Sequence, residues 1–197
     1  MTQLLIIGAG GHGKVAADTA EAAGYGDVAF LDRSWPGRTR NGRWPIIGVP
    51  AVQNAQMFCA IGANDARARI FSDLDLSGSP CLIHPRATLS PSAAIGAGTL
   101  VVAGSIVNAD ARIGRGVILN TGCSIDHDCE LEDFVHVSPG ARLAGGVSVG
   151  QRSWIGIGAV VKEGVKIGAG TVVAAGAAVI DTVEDGARVA GVPAKRI

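Results

Sequence analysis

The segment Asn120-Thr121-Gly122-Cys123-Ser124-Ile125-Asp126-His127-Asp128 gathers the side chains best able to move a proton near neutral pH. Histidine titrates in that range, and a carboxylate beside it raises its basicity and fixes its tautomer. Asp128 follows His127 directly, but adjacent residues usually diverge, so a contact between them requires a corner in the chain. A second histidine, His136, lies further along. Near the N-terminus, Gly8-Ala9-Gly10-Gly11-His12-Gly13 matches Gly-x-Gly-x-x-Gly, and Asp32 stands nineteen residues past Gly13. Such glycines let backbone approach a ligand, and the helix that follows offers free N–H groups and partial positive charge to phosphate. The spacing suits a dinucleotide; a tight strand–helix turn is the plainer alternative. A half-sized fold holding one nucleotide diphosphate fits so short a region best. His12, inside the loop, is placed to touch a phosphate or a sugar.

The elements that must hold these residues are of two kinds. Stepping by six from Ile83 to Val179 gives 17 positions, all Ile, Leu or Val, without a break in register. These types make up about a quarter of the chain, so chance would produce the run on the order of once in 10^10 trials. Four residues after each stands a small or β-branched residue, and three after it Gly in ten of the 17 repeats. A hexapeptide of this kind is one short strand plus one corner, and three close a triangular coil. Seventeen make almost six coils, a prism roughly 25–30 Å tall at about 4.8 Å per coil. Cys123 and Cys129 fall at small inward positions and read as core fillers; His127 and His136 alternate away from the core, so both rings should project outward. Leu100, Ile106, Ile118, Trp154, Val160 and Val172 form an outward apolar wall, which suggests packing against further prisms in a closed ring or cover by the chain's own N-terminal part.

Residues 1–80 read differently, as a small βαβ-type domain with a parallel sheet. The pattern predicts strands at 4–7, 28–31 and 57–61, helices at 14–23 and 64–71, and a polar loop over 33–45. The prism and tail occupy 81–197, with a hexapeptide core that looks self-contained.

The chain balances 17 Lys+Arg against 17 Asp+Glu, so no general electrostatic pull draws it to nucleic acid or anionic membrane. Twenty-nine glycines and only 4% aromatics fit a repetitive structure with tight corners. No apolar stretch reaches the 18 residues a membrane span needs, so no membrane insertion is expected. The short apolar run in MTQLLIIGAGGHGK lacks a basic flank and does not read as a signal peptide. Four cysteines without a CxxC pair suggest free thiols in a reducing compartment. The expected location is the cytoplasm.

The hexapeptide run resembles the left-handed parallel β-helix of bacterial hexapeptide-repeat acyltransferases. With IGAGGHGK, AIGAND, VILNTGCSIDHDC, FVHVSPGARLAGGV and VAGVPAKRI, the chain is similar over nearly its whole length to the sialic acid O-acetyltransferase family. The nearest branch comprises the trimeric enzymes that N-acetylate nucleotide-linked 4-amino-4,6-dideoxy sugars, of the UDP-bacillosamine-pathway and perosamine type. The resemblance implies a Rossmann-like N-terminal domain on a left-handed β-helix, with acetyl-CoA as co-substrate and no permanently bound cofactor or metal. It implies His127 as general base and Asp128 as the carboxylate that raises its basicity. Gly10, Gly11, His12, Asp32, Arg33, Gly62 and Asn120 would hold the sugar nucleotide. His136, Gly145, Ile157 and Ala175 would hold acetyl-CoA, with the Gly145 N–H stabilising the oxyanion. O-acetylation of a sialic acid or other sugar is the alternative activity. An NAD-dependent oxidoreductase rests on the glycine loop alone. A zinc β-helix enzyme would need His84, His127 and His136 to meet, and none of their spacings is the short one such sites use. A non-catalytic solenoid, such as a binding scaffold, is a further rival; the regular outward Thr ladders expected of ice binders are absent, and the appended nucleotide-type domain argues for an enzyme.

Overall fold

The computed structural model describes residues 3–197; the first two residues of the 1–80 region lie outside it. The N-terminal part is a five-stranded sheet of order β3-β4-β2-β1-β5, where β1 is Leu4–Ile7, β2 Val28–Leu31, β3 Arg40–Asn41, β4 Trp44–Gly48 and β5 Gln56–Cys59. All pairings are parallel except the β3–β4 hairpin. Helix α1 (Gly11–Ala22) links β1 to β2, and α2 (Asn64–Asp73) follows β5.

Two local expectations are corrected. Helix α1 begins at Gly11 rather than Lys14, so the last glycines of the loop are its first turn. The helix packs so closely on the turn after β1 that position 13 must be glycine: a Cβ there would sit 2.1 Å from the Gly8 carbonyl oxygen. The expected loop over 33–45 contains β3 and the start of β4, held because Trp44 is buried edge-on against Phe30 of β2.

From Leu82 the chain winds as a parallel β-helix with two-residue strands and corners between them. Three sheets form the three faces. We call docking face the one whose outward residues run Leu82, Leu100, Ile118, His136, Trp154, Val172, Arg188. The outward ladder of the second face runs Thr88, Ile106, Ser124, Arg142, Val160, Ala178. On the third it runs Ala94, Arg112, Glu130, Ser148, Lys166. The inward aliphatic ladder, with Cys123 and Cys129, forms one buried core.

The outward apolar wall divides. Ile106, Trp154 and Val160 are exposed, but Leu100 and Ile118 are fully buried. Leu82, Leu100 and Val102 share a core with Ile6, Ala16, Ala17 and Phe30: the sheet domain sits on the upper docking face through α1. The prism therefore does not carry a self-contained surface; its first coils are covered by the N-terminal domain.

Candidate active site

His127 and Asp128 occupy the corner between the second and third faces. Asp128 adopts φ 58°, the left-handed conformation that most equivalent corner positions assign to glycine. That conformation costs an ordinary residue about 1–2 kcal/mol and is best tolerated by Asp and Asn. It turns the carboxylate back along the chain, so that His127 Nδ1 lies 2.8 Å from Asp128 Oδ2. The corner that adjacent residues needed in order to meet is present. Asp126 Oδ1 steadies it by accepting from the His127 N–H at 2.8 Å and from Asn108 Nδ2 at 2.9 Å. The Asp128 hydrogen bond, foremost, raises the His127 pKa, and Nδ1–H directed at the carboxylate leaves the Nε2 lone pair free for a substrate proton. Nε2 stands over the corner of the next coil: a Cβ on Gly145 would lie 2.5 Å from it. Among the described residues the Gly145 N–H donates to no backbone group. A base, its orienting acid and a spare N–H thus share one exposed corner.

The remaining prism candidates lie elsewhere. His136 points outward from the docking face but is 6% exposed, covered by the sheet domain and stacked on Trp154 at 4.8 Å between ring centroids. Trp154 Nε1 donates to Ser138 Oγ at 2.7 Å. Asn120 Oδ1 accepts from the Thr121 N–H at 2.9 Å, so its Nδ2 donates to His136 Nε2 at 3.2 Å. This assigns the imidazole proton to Nδ1, which is buried without a partner, as is Nε2 of His12. The two rings lie 6.0 Å apart, bringing the glycine loop to the docking face. Asn120 and His136 open onto a groove of about 590 Å³ that also includes Ile157 and Ala175. Gly145 is not in that groove but beside His127, so the candidates fall into two sets on opposite sides of the prism.

In the glycine loop, Gly10 and Gly11 face open space. Asp32 does not present a free carboxylate: it accepts from the Ala9 N–H at 2.7 Å and the Ser34 N–H at 2.9 Å. Burial opposes its ionisation, but these bonds and nearby Arg38 hold its pKa below the usual value. Arg33 is exposed, and the arginine that reaches the loop is Arg38. Its Nη1 donates to the Ala9 carbonyl at 2.8 Å and its Nη2 to Asn41 Oδ1, while Asn41 Nδ2 donates to the Gly10 carbonyl. Arg38 and Asn41 are residues that the sequence reading missed, hidden in the segment taken for a loop. Gly62, after β5, offers its carbonyl to Arg67 Nη1 at 3.0 Å.

Arg67 is the other unforeseen residue, a guanidinium 1% exposed under α2. Burial, then the Arg67 charge, lowers the His12 pKa from 6.5 to about 4. The same causes, with His12 itself, lower His136 from 6.5 to about 3. Both rings are neutral at pH 7 rather than cationic: His136 Nε2 accepts from Asn120, and His12 Nε2 has no partner among the described residues. Below pH 6.5 the unfolded chain takes up protons that these folded sites refuse, so stability should fall as pH drops from 6.5 toward 4. We expect the melting temperature to follow this slope and the slope to flatten in His12→Gln. A variant with the parent's slope would contradict the assignment.

A prism of hexapeptide coils capped by a small parallel-sheet domain, with a His–Asp pair on one corner, defines a hexapeptide-repeat acyltransferase. Family models for the PglD N-terminal domain and for the bacterial transferase hexapeptide match residues 3–74 and 146–181. The acetyltransferase domain of PglB from Neisseria gonorrhoeae, solved with acetyl coenzyme A, is 41% identical over 100% of this chain and 99% of its own, with a TM-score of 0.94. A histidine-to-alanine mutant of GDP-perosamine N-acetyl transferase from Caulobacter crescentus, solved with CoA and GDP-perosamine, is 40% identical over 100% of this chain and 97% of its own, TM-score 0.93. WeeI from Acinetobacter baumannii is 25% identical over both full chains, TM-score 0.90. No curated protein sequence matched. The chain belongs to this family of hexapeptide-repeat sugar acetyltransferases and is an acetyltransferase. Among the described residues no helix is long and apolar enough to cross a membrane.

Proposed function

We propose that the protein transfers the acetyl group of acetyl-CoA to the amino group of a nucleotide-linked amino-dideoxy sugar, with His127 as general base. The observation that carries this reading is the 2.8 Å His127–Asp128 pair, exposed on its corner with Nε2 above Gly145. In the reaction, His127 Nε2 takes a proton as the amine attacks the thioester carbonyl, and the free Gly145 N–H stabilises the oxygen that becomes anionic; the C–S bond then breaks as the carbonyl re-forms, and the proton passes to the departing sulfur, which leaves as the CoA thiol. Asn120, expected on the sugar, is hydrogen-bonded to His136 on the same groove, so we assign both to the acetyl donor's head there. His12 and the open Gly10–Gly11 backbone, stiffened by Asp32, receive the nucleotide sugar's phosphates.

One chain holds these two halves on opposite sides of its prism, so a second copy must bring its corner to the groove of the first. The exposed Ile106, Val160, Trp154 and Ile157 supply apolar surface for such packing, and a three-sided prism closes naturally into a homotrimer. Ile118, buried under the chain's own sheet domain, cannot report on assembly; Val160→Asp should dissociate it. A stable monomer at micromolar concentration, with activity intact, would defeat this arrangement.

Acetyl transfer measured by CoA release against UDP-, GDP-, dTDP- and CMP-linked amino sugars tests the activity. Transfer to hydroxyl-bearing analogues in preference to amines would favour O-acetylation. Gly145→Ala makes the geometry itself testable. Its φ is ordinary, so the backbone accepts alanine, but the methyl would overlap the His127 ring. We expect kcat to drop about 10²-fold, as for a misplacement near 1 Å, with the melting temperature unchanged. A fully active Gly145→Ala would show that His127 does not work from this seat.

A further inference from the structure

The docking-face groove does not end at Ala175. Its lining includes Arg188, the last cation of the outward ladder His136, Trp154, Val172, Arg188. Arg188 is exposed, and among the described residues it has no ion-pair partner. The groove thus has a neutral hydrogen-bonding head at Asn120 and His136, an apolar floor at Trp154 and Val172, and a free guanidinium at its foot. Three rungs at about 4.8 Å separate head from foot, roughly 14 Å.

We propose that Arg188 binds the diphosphate of the acyl-CoA donor and thereby sets the depth at which the thioester sits beside His136. The proposal rests on the acetyl-CoA reading given above. The pantetheine arm between the sulfur and the first phosphate has about thirteen bonds and extends roughly 15 Å at ordinary bond lengths. Laid along Trp154 and Val172, it spans the three rungs with its charged end at Arg188. Charge decides the direction. His136 and His12 are neutral at the head of the groove, whereas Arg188 offers a fork of donors suited to phosphate oxygens. Lys195 and Arg196 lie on the antiparallel strand that pairs with Arg188–Ala190, outside the lining of this groove. Arg152, on the adjoining branch of the groove toward α2, is a further nearby cation, but it faces Asp65 at 3.9 Å. It is the natural control.

Calorimetry on the full-length protein with pantetheine, phosphopantetheine, dephospho-CoA and CoA as probes separates the groups. In Arg188→Ala, Kd for CoA and dephospho-CoA should rise about ten- to a hundredfold, the loss of a charge-assisted contact, while Kd for pantetheine stays unchanged. Arg152→Ala should bind all four like the parent. CoA affinity left intact by Arg188→Ala overturns the assignment, as does an equal loss for pantetheine, which would make Arg188 a wall of the groove. An effect on CoA but not on dephospho-CoA would place the 3′-phosphate there and also overturn it. Failure of the parent protein to bind CoA at all overturns the acetyl-donor reading together with this one.

Discussion

Replacing His127 by alanine is expected to lower kcat by about 10²–10⁴-fold, the usual contribution of a positioned general base, and to leave the melting temperature where it was. The second half of that expectation follows from exposure. The ring stands on an open corner with 62% of its side chain accessible, and its contacts are with Asp128 and the backbone of Gly145. Asp128 separates orientation from chemistry. Its hydrogen bond raises the His127 pKa, and a base must be neutral to work, so kcat/KM should decline on the acid side as His127 gains its proton. Asp128→Asn removes the charge, so the acid limb should move to lower pH while kcat falls. Asp128→Gly removes the carboxylate as well but relaxes a left-handed residue, so it should match or exceed the parent's melting temperature while losing activity. Steady-state kinetics across pH, with thermal melts of the three variants, checks all of this. A His127→Ala enzyme near parental turnover would remove the residue from the mechanism.

The prism was legible because each hexapeptide repeats the same constraint. An inward aliphatic and an inward small residue leave one way to turn, and register carries through 17 repeats. His127 was legible for the same reason: it breaks the pattern at a corner. The exceptions to glycine at the left-handed corner positions prove informative. They are Asp110, Asp128, Phe134 and Arg152. Asp128 serves the histidine, while Phe134 packs edge-on against Phe71 of α2 at 5.4 Å and Arg152 faces Asp65. Two of the four exceptions therefore mark where α2 rests, a signal present in the sequence but readable only once each repeat's odd residue is asked what it touches. The burial of Leu100, Ile118 and His136 was not legible. Outward apolar residues look alike whether a second copy or the chain's own domain covers them, and no local pattern distinguishes the two. Arg38, Asn41 and Arg67 were hidden because their partners are backbone carbonyls, which leave no trace in residue types.

Arg67→Met should give the largest loss of stability of any single substitution at the domain junction. All five guanidinium N–H groups are used. Nε donates to the Gly116 carbonyl at 2.7 Å, Nη1 to those of Ile61 and Gly62 at 2.9 and 3.0 Å, and Nη2 to Asn64 Oδ1 and the Phe134 carbonyl at 2.9 and 2.7 Å. Asn64 extends the clasp by donating to the carbonyls of Arg152 and Ser153. Three successive coils are thereby tied to the loop after β5. Methionine fills much of the space but satisfies none of the carbonyls, and a buried acceptor without a donor costs about 1–3 kcal/mol. Some would find water, so the net loss should be roughly 2–5 kcal/mol, read as a lower urea midpoint at unchanged slope. Arg67→Lys keeps the charge but has too few donors, and should lie between parent and Met. Activity should fall in both, because the clasp holds the His12 ring 6.0 Å from His136 and with it the junction between glycine loop and groove. A charge without a carboxylate is an odd choice for a purely structural contact. Its use here is understandable because the acceptors are carbonyls of chain reversals, which no mutation of the partner can remove, and only arginine has donors enough to reach four of them at once. Parental stability in Arg67→Met would mean that the apolar contacts of α1 and Phe71 alone hold the domains together.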